Sequence, residues 1–164
     1  MNFKIVEYMS NASIKGDINT NLIKFSQNSK KIIQIGFDPL SCLIYLLSNE
    51  TSKIDILTSK YTIDEDKKYK YLKNLFYDRI RIQYGDIDLH ILHTIHSSMK
   101  YDLIHVTKDV ATYATILKLN FVKGNHHVLI IDNIENVILQ KLKGKIHKIF
   151  DIFYEFCEIW YISL

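Results

Sequence analysis

The stretch KIIQIGFDPLSCLIYLL, residues 31–47, decides the fold class of this chain. An apolar run over 32–35 ends at Gly36, and a helical pattern follows almost at once, its start favoured by Pro39. A strand, a turn and a helix in this order are typical of a nucleotide- or phosphate-binding turn in an α/β domain. Where a glycine-rich loop would continue, the chain instead reads Phe37, Asp38, Pro39 and Leu40. The stretch therefore predicts a cofactor-binding fold and leaves open whether the ligand is still bound.

Apolar strands and amphipathic helices alternate along the rest of the chain. Strands are predicted at 31–36, 53–57, 79–84, 101–106 and 126–132. Helices are predicted at 17–29, 40–47, 64–77, 86–97, 109–120 and 134–143. Strands separated by helices predict βαβ units, a mainly parallel sheet and helices on both faces. The tail, 146–164, holds two strand-like runs with almost nothing between them, which predicts antiparallel pairing.

The composition is that of one soluble globular domain. The chain has 164 residues, 48% of them hydrophobic, and a formal net charge of +3. We expect an N-terminal helical segment over 1–30 and a single domain over 31–164. Cys42 and Cys157 are far apart in apolar surroundings and read as reduced thiols. With no visible signal peptide or membrane span, the sequence predicts a cytoplasmic protein.

Short motifs in a fixed order along the chain carry more information than the fold class alone. The loop after the first strand reads Ile35, Gly36, Phe37 and Asp38. The second strand carries Asp55, and a Gly-Asp pair at 85–86 follows the third. YDLIHV at 101–106 forms the fourth strand, and LIIDN at 129–133 ends the fifth. Over about 30–164 this order resembles the class I S-adenosylmethionine-dependent methyltransferases, closest to small members whose first loop reads I-G-F-N-A-G-H-S.

The resemblance implies a structure, a cofactor and a set of contacts. The structure is a Rossmann-like three-layer α/β sandwich with a mainly parallel seven-stranded sheet and an antiparallel C-terminal strand. The cofactor would be S-adenosylmethionine, with no metal expected. The residues that the resemblance assigns to the cofactor are Gly36, Phe37, Asp38, Asp55 and Asp86. Among them, Asp55 would hold the ribose at the carboxyl edge of the sheet, and Asp86 would lie beside the adenine.

The chain departs from the family pattern where the chemistry would take place. Leu40, preceded by Pro39, replaces the second glycine of the first loop, where glycine lets the backbone pass close to the ligand. A leucine there is expected to take up space meant for the methionine moiety. After the fourth strand, the family's Asp-Gly-x-His is replaced by Thr107, Lys108, Asp109 and Val110. These joint losses predict a member of the family that no longer catalyses methyl transfer.

Each acidic candidate also has a structural interpretation. Asp38 and Asp86 stand at helix starts, where an aspartate caps the helix as readily as it binds a ligand. Asp55 lies between Ile54 and Ile56, and burying an acid there is costly unless a partner or a ligand compensates. Asp102 opens its strand and is interpreted as structural.

Two sequence patterns bear on metal binding. Asp132-Asn133 resembles the pair that binds a divalent cation in catechol-type O-methyltransferases, where oxygen ligands suit Mg²⁺. Those enzymes need a further acid where Thr107 stands, and Asp109 would substitute only after a rearrangement of the loop. The three histidines at 90, 93 and 96 follow a helical stripe without the spacing of a zinc helix, which indicates a solvated face.

Three functions remain open at the level of sequence. The first is a non-catalytic methyltransferase-like domain that acts as a scaffold or partner-binding module. The second is an active methyltransferase acting on a small molecule or a sugar. The third is a nucleic-acid-associated protein using the lysine-rich stretches 67–73 and 141–148, for which the net charge is too small to argue alone. The apolar run FCEIWYISL at the C-terminus also predicts a homodimer, because a hydrophobic edge strand needs covering.

Overall fold

The structure, a computed structural model, describes residues 22–59, 62–107, 110, 112–131, 148–154 and 157–161. Its strands are β1 (Lys31–Ile35), β2 (Lys53–Thr58), β3 (Ile80–Tyr84), β4 (Tyr101–Val106), β5 (Lys123–Ile131), β6 (Lys148–Tyr154) and β7 (Cys157–Tyr161). Its helices are α1 (Pro39–Ser48), α2 (Ile63–Phe76), α3 (Ile87–His96) and α4 (Tyr113–Leu119), and residues 22–26 are also helical. Short 3₁₀ turns follow α2 at Tyr77–Arg79 and α4 at Asn120–Val122. The predicted helix at 134–143 lies outside the described residues.

The first four strands form a parallel sheet in the order β3-β2-β1-β4. Ile33 of β1 stands in register with Asp55 of β2 and with Ile104 of β4. The chain order reverses between β1 and β4, which is where open α/β sheets bind ligands at the carboxyl ends of their strands. The prediction of a Rossmann-like α/β fold with a parallel sheet is confirmed. The count of seven strands and the antiparallel last strand stay predictions at this point.

Helices cover both faces of the sheet, as the alternation of strands and helices predicted. On one face α1 and α2 pack on a core that includes Ile32, Tyr45 and Leu72. On the other face α3 and α4 pack on a second core that includes Ile35, Ile91 and Leu119. Because β1 is buried on both faces, its sequence is almost continuously apolar instead of alternating. No helix in the described part of the chain is long and apolar enough to cross a membrane.

Backbone hydrogen bonds between turns align the carboxyl ends of these four strands. The amide of Gly36 donates to the carbonyl of Leu57 at 2.7 Å, and the amide of Gly85 donates to the carbonyl of Thr58 at 3.1 Å. On the other side of β1, the amide of Thr107 donates to the carbonyl of Ile35 at 2.9 Å. The turns that follow the four strands therefore meet at one edge of the sheet.

A strained residue ends α2 and generates the first prediction. Tyr77 has φ 48° and ψ −112°, although it is not a glycine, and its side chain is 74% exposed. We expect Tyr77→Gly to raise the free energy of unfolding by up to ~1 kcal/mol, because relief of the left-handed strain exceeds the entropic cost of glycine. Urea denaturation measures the change. Tyr77→Ala is the matched control, since it keeps the Cβ and should gain little; equal gains from both variants would contradict the assignment of strain.

Candidate functional site

A cavity of about 290 Å³ lies at the carboxyl ends of β2, β3 and β4. Its walls come from the segments that follow these strands, and they combine hydroxyl, carboxylate and apolar groups: Ser59, Asp86, Ile87, Asp88, Val110, Thr112 and Thr115. The volume is at the lower end of the range for small-molecule sites, roughly 300 to 1,000 Å³. Its place in the fold and its mixed lining make it the candidate binding site of the described part of the chain.

Asp86 is the one predicted site residue that lines the cavity. It caps α3, where its Oδ1 accepts a hydrogen bond from the amide of Leu89 at 3.0 Å. The helix-capping interpretation of Asp86 is thus confirmed, while the contact with an adenine stays a prediction. The neighbouring carboxylate of Asp88 is paired with Lys118 Nζ at 3.0 Å. Of the two carboxylates in the described lining, Asp88 forms an ion pair with a lysine, whereas Asp86 caps the first turn of α3.

Gly36 approaches another part of its own chain. It has φ +86°, and a Cβ placed on it would lie 1.9 Å from Thr107 Oγ1 and 3.2 Å from Val110 Cγ2. Glycine is therefore required both for the turn and for the loop that follows β4. Val110, which lies near Gly36, also lines the cavity.

Phe37 and Leu40 face the core beneath α1 and α2. Both are half-buried and pack against that core, and the Phe37 ring meets the Tyr69 ring edge-on at a centroid distance of 6.3 Å. The sequence predicted that Leu40 takes up space meant for the methionine moiety, whereas its side chain packs against this core. In the structure it is Thr107 whose side chain lies against Gly36. Thr107, which departs from the family pattern after the fourth strand, thus contacts the first loop directly.

Asp38 acts as the N-cap of α1. Its Oδ1 accepts from the amide of Leu40 at 3.2 Å, and its Oδ2 accepts from Ser41 Oγ at 2.6 Å. The amide of Asp38 donates to Gln34 Oε1 at 2.9 Å, which fixes the turn from the other side. The capping role weighed for Asp38 is confirmed, and a contact with a cofactor amino group stays a prediction.

A buried polar network below this turn was missed at the level of sequence. Gln34 donates through Nε2 to Ser41 Oγ at 2.9 Å and approaches His105 Nδ1 at 3.2 Å. The Tyr45 hydroxyl lies 3.1 Å from the same Nδ1. The ring nitrogen can donate or accept in these contacts, according to the tautomer of His105. Burial, helped by Asp38, raises the pKa of the Cys42 thiol, which donates to Gln34 Oε1 at 3.2 Å.

A sequence signal for this network existed. Gln34 and His105 are polar residues at fully buried places in parallel strands, where apolar residues are the rule. Since a buried polar group must find a partner, the two together predict a hydrogen bond between β1 and β4. Nothing in the sequence identified which partner each would find.

Asp55 is placed differently from its prediction. It lies three residues before the end of β2, in register with Ile33 and Arg81, so the expected position at the carboxyl edge is wrong. Its Oδ1 accepts from Arg81 Nε and lies 2.8 Å from Arg81 Nη2, while its Oδ2 accepts from Tyr101 Oη at 2.7 Å. Burial and the Asp55 carboxylate raise the pKa of Tyr101 well above its usual range, so Tyr101 remains the donor. This supports the structural interpretation of Asp55; a ribose contact stays untested.

His90 and Asp102 are absent from the described lining of the cavity. His90 Nε2 lies 2.7 Å from the carbonyl of Tyr84 and packs over Gly85, which has φ +133°. Asp102 Oδ2 accepts from the amides of Lys30 and Lys31, a structural role at the opposite end of the sheet. The described residues contain no group of three His, Cys, Asp or Glu that could hold a metal ion. Asp109, Asp132 and Asn133 lie outside the described residues.

The Asp55 cluster yields the second prediction. Tyr101→Phe removes a hydrogen bond to a charged, mostly buried carboxylate and should lower the free energy of unfolding by about 1.5–3 kcal/mol. Asp55→Asn should also destabilise, since it breaks the ion pair with Arg81. Thermal unfolding followed by circular dichroism measures both. Asp78→Asn breaks the exposed ion pair with Lys53 and should leave the melting temperature almost unchanged. A Tyr101→Phe chain as stable as the native one would refute the structural role.

Comparison with known proteins gives no match by sequence and many by structure. No family model matches the chain, and no curated protein matches it. A methyltransferase from Geobacter sulfurreducens has a similar structure, with a TM-score of 0.69, 14% identity and coverage of 99% of this chain and 90% of that one. An SAH-bound methyltransferase from Podospora anserina gives a TM-score of 0.66, 13% identity and coverage of 99% and 89%. Human methyltransferase-like protein 13 in complex with SAH gives 0.61, 13%, 90% and 79%.

These similarities identify the fold. At 13–14% identity and with TM-scores above 0.6, the chain has the fold of these methyltransferases, as the motifs predicted. Such a distant likeness says nothing about which side chains have kept their roles. The contacts at Gly36, Asp55 and Asp86 have to be judged on their own geometry.

Proposed function

We propose that this chain is a methyltransferase-like domain that has lost methyl transfer and acts as a scaffold or partner-binding module. The contact between Thr107 and Gly36 carries the proposal. In the family that the chain resembles, glycine in the first loop leaves room for the methionine part of S-adenosylmethionine. Here the Thr107 hydroxyl lies so close that it leaves no room even for a Cβ on Gly36. The loop after β4 also lacks the acid and the imidazole of the family pattern.

The fit of S-adenosylmethionine differs between its two ends. The cavity beside Asp86 offers hydroxyl and carboxylate partners that suit a nucleoside, and structural neighbours from Podospora anserina and human were crystallised with SAH. At the methionine end, Thr107 and Val110 stand against Gly36. Asp55, assigned to the ribose by resemblance, is held by Arg81 and Tyr101. The residues present therefore do not fit the whole cofactor, and we derive no catalytic step through it.

An active methyltransferase acting on a small molecule or a sugar is the second candidate. The observation in its favour is the cavity itself, which lies at the carboxyl edge where this fold binds ligands. Rearrangement of Thr107 would be needed before a methionine moiety could pass Gly36. The nucleic-acid alternative gains no support from the cavity, whose described lining contains no basic side chain.

The proposal extends to a seven-stranded sheet and to a homodimer. Backbone pairing of β5 with β4 in parallel, and of β7 with both β5 and β6 in antiparallel, supports seven strands with an antiparallel C-terminal part. In this arrangement β7, from the run predicted to be the uncovered edge, is paired on both sides, and β6 forms the outer edge of the sheet instead. An edge strand needs covering, and a second copy of the chain would cover it. The cytoplasmic location stays a prediction.

Isothermal titration of the full chain with S-adenosylmethionine and SAH is the third prediction and the test of lost catalysis. We expect no micromolar binding of S-adenosylmethionine and no formation of SAH during incubation, because the first loop is closed. Thermal shift measurements with both ligands give a second readout. Micromolar binding accompanied by SAH formation on any small acceptor would overturn the proposal and favour the active enzyme.

Sedimentation velocity provides the fourth prediction. We expect a species of twice the 19.3 kDa chain mass that dissociates on dilution. A single monomeric species across the accessible concentration range would refute the homodimer and leave the question of catalysis untouched.

A further inference from the structure

We propose that the amino edge of the parallel sheet binds single-stranded nucleic acid through a row of lysines that lies between two exposed aromatic rings. The amino edge is the set of residues at which the four parallel strands begin, and it is opposite the edge that carries the cavity. The inference goes beyond the proposed function, because it concerns another surface and holds whether or not methyl transfer is lost.

Each of the four parallel strands begins with a basic residue or directly follows one. Lys31 is the first residue of β1 and Lys53 is the first residue of β2, and the two stand in register. Arg79 directly precedes β3, and Lys100 directly precedes β4. Since neighbouring strands lie about 4.8 Å apart, this row extends roughly 14 Å from β3 to β4. Basic residues are thus concentrated where the strands start.

The lysines in the middle of the row are presented from a fixed backbone. Asp102 Oδ2 accepts from the amides of Lys30 and Lys31 at 2.9 and 3.0 Å. The carbonyl of Lys30 accepts from the amide of Lys53 at 2.8 Å. These bonds involve only backbone atoms of the lysines, all three of which are exposed. Because Lys31 and Lys53 are like charges in register on neighbouring strands, they repel each other, and bound phosphates would relieve that repulsion.

The other two basic residues of the row serve the fold. Arg79 donates through Nη2 to two main-chain carbonyls near the end of α1, and through Nε to a carbonyl just before β2. Lys100 Nζ donates to a main-chain carbonyl at 2.6 Å. We therefore assign the phosphate contacts to Lys30, Lys31 and Lys53.

Three described acids also lie at this edge. Asp102 is engaged by the two backbone amides, and Glu50 lies close enough to Arg79 to raise the pKa of its guanidinium, which burial lowers. Asp78 Oδ2 lies 3.2 Å from Lys53 Nζ, and both side chains of this pair are more than half exposed. An exposed ion pair contributes little free energy, so a phosphate can replace the Asp78 carboxylate on Lys53.

Two exposed aromatic side chains flank the row. Tyr77, in the 3₁₀ turn before β3, is 74% exposed, and Phe121, in the 3₁₀ turn before β5, is 60% exposed. Each is linked to a lysine: Tyr77 directly precedes Asp78, the partner of Lys53, and the carbonyl of Phe121 is the group that accepts from Lys100. Aromatic rings that stack on bases, beside lysines that hold phosphates, are the combination found in single-strand binding surfaces.

The backbone at Tyr77 independently indicates that its ring has a use. Its φ of 48° is in the region that favours glycine, yet the residue carries a large side chain that is mostly in solvent. Strained residues of this kind cluster at functional sites.

The rings also decide which polyanion fits this edge. An acidic protein segment would pair with the lysines and leave the rings without a role. A bilayer takes up apolar side chains as one continuous face, whereas here the starts of β2, β1 and β4, with their charged residues, stand between the two rings. Single-stranded nucleic acid uses both the charges and the rings.

Fluorescence anisotropy of the full native chain with labelled oligo-U and oligo-dT tests the inference, as the fifth prediction. With probes of about 12 nucleotides, we expect dissociation constants of roughly 1–100 µM at low salt. The logarithm of the association constant should fall against the logarithm of the salt concentration with a slope of about −2, for three phosphates at about −0.7 each. Binding of either probe supports the surface, and the ratio of the two distinguishes RNA from DNA. Absence of binding by both at low salt would overturn it.

Other polyanions provide the specificity test. A duplex of the same length should bind several-fold more weakly, because its bases are paired and its rings are not free to stack on the protein. Polyglutamate and vesicles of phosphatidylserine with phosphatidylcholine should compete weakly at equal charge. Equal or tighter binding of the duplex, the polypeptide or the vesicles would overturn the choice of single-stranded nucleic acid.

Charge variants test the lysines. Lys31→Gln and Lys53→Gln should each weaken binding several-fold and reduce the magnitude of the salt slope by about 0.7. Lys67→Gln is the matched control, since it removes the same charge from an exposed position on α2 and should keep the native affinity. Asp78→Asn should strengthen binding, because it releases Lys53 from its ion pair. Equal losses at Lys67 and Lys31, or no gain from Asp78→Asn, would refute the assigned contacts.

Ring variants separate stacking from folding. Tyr77→Gly and Tyr77→Ala both remove the ring and should weaken binding at least about fivefold, although the first is expected to stabilise the fold. Phe121→Leu keeps an apolar side chain without a ring and should also weaken binding, whereas Tyr77→Phe and Phe121→Tyr should keep the native affinity. Native affinity in the glycine, alanine and leucine variants would refute the stacking role.

Discussion

The close approach of Thr107 to Gly36 is the constraint on which the arrangement of the site depends. It joins the turn after β1 to the turn after β4, the two neighbouring strands between which the chain order reverses. The amide of Thr107 also bonds to the carbonyl of Ile35, so the backbone and the side chain hold the same junction. In this fold the junction is where a ligand is expected to enter. Thr107 occupies this junction, and the described cavity lies at the ends of β2, β3 and β4.

The buried network beneath the turn explains why this junction has one geometry. Gln34 uses its amide oxygen to hold the amide of Asp38 and its amide nitrogen to hold Ser41. Asp38 then caps α1, so strand, turn and helix are tied by complementary donors and acceptors. Removal of one partner would leave a buried polar group unsatisfied, at a cost of about 1–3 kcal/mol. Buried polar groups of this kind fix a unique arrangement when all of them are satisfied.

Much of the fold could be predicted from the sequence, and less of the site. Almost continuously apolar runs such as 32–35, in which only Gln34 is polar, predict a parallel sheet covered on both faces when amphipathic helices separate them, and the structure has one. Helix caps at Asp38 and Asp86 follow from local chemistry, and the structure confirms both. The position of Asp55 could not be derived, because a motif gives an order of residues and not the register of a strand. The sequence shows that Thr107 replaces an acid of the family pattern. Its contact with Gly36 could not be predicted, because it depends on how two distant segments meet in the fold.

Asp55 and Asp86, two carboxylates that the family resemblance assigns to the cofactor, have different surroundings in this structure. Asp55 lies inside the sheet, where an acid requires partners. Arg81 on the neighbouring strand β3 and Tyr101 on β4, on the far side of β1, supply them. Asp86 lies beyond the end of β3. One of its carboxylate oxygens caps α3, and the residue still lines the cavity. An acid inside a strand is thus bound by partners within the protein, because the cost of its desolvation must be offset there. An acid that follows the end of a strand, such as Asp86, can still line the cavity. The turns that follow the strands, which include Asp86 and Thr107, therefore decide how much space is left at this edge of the sheet.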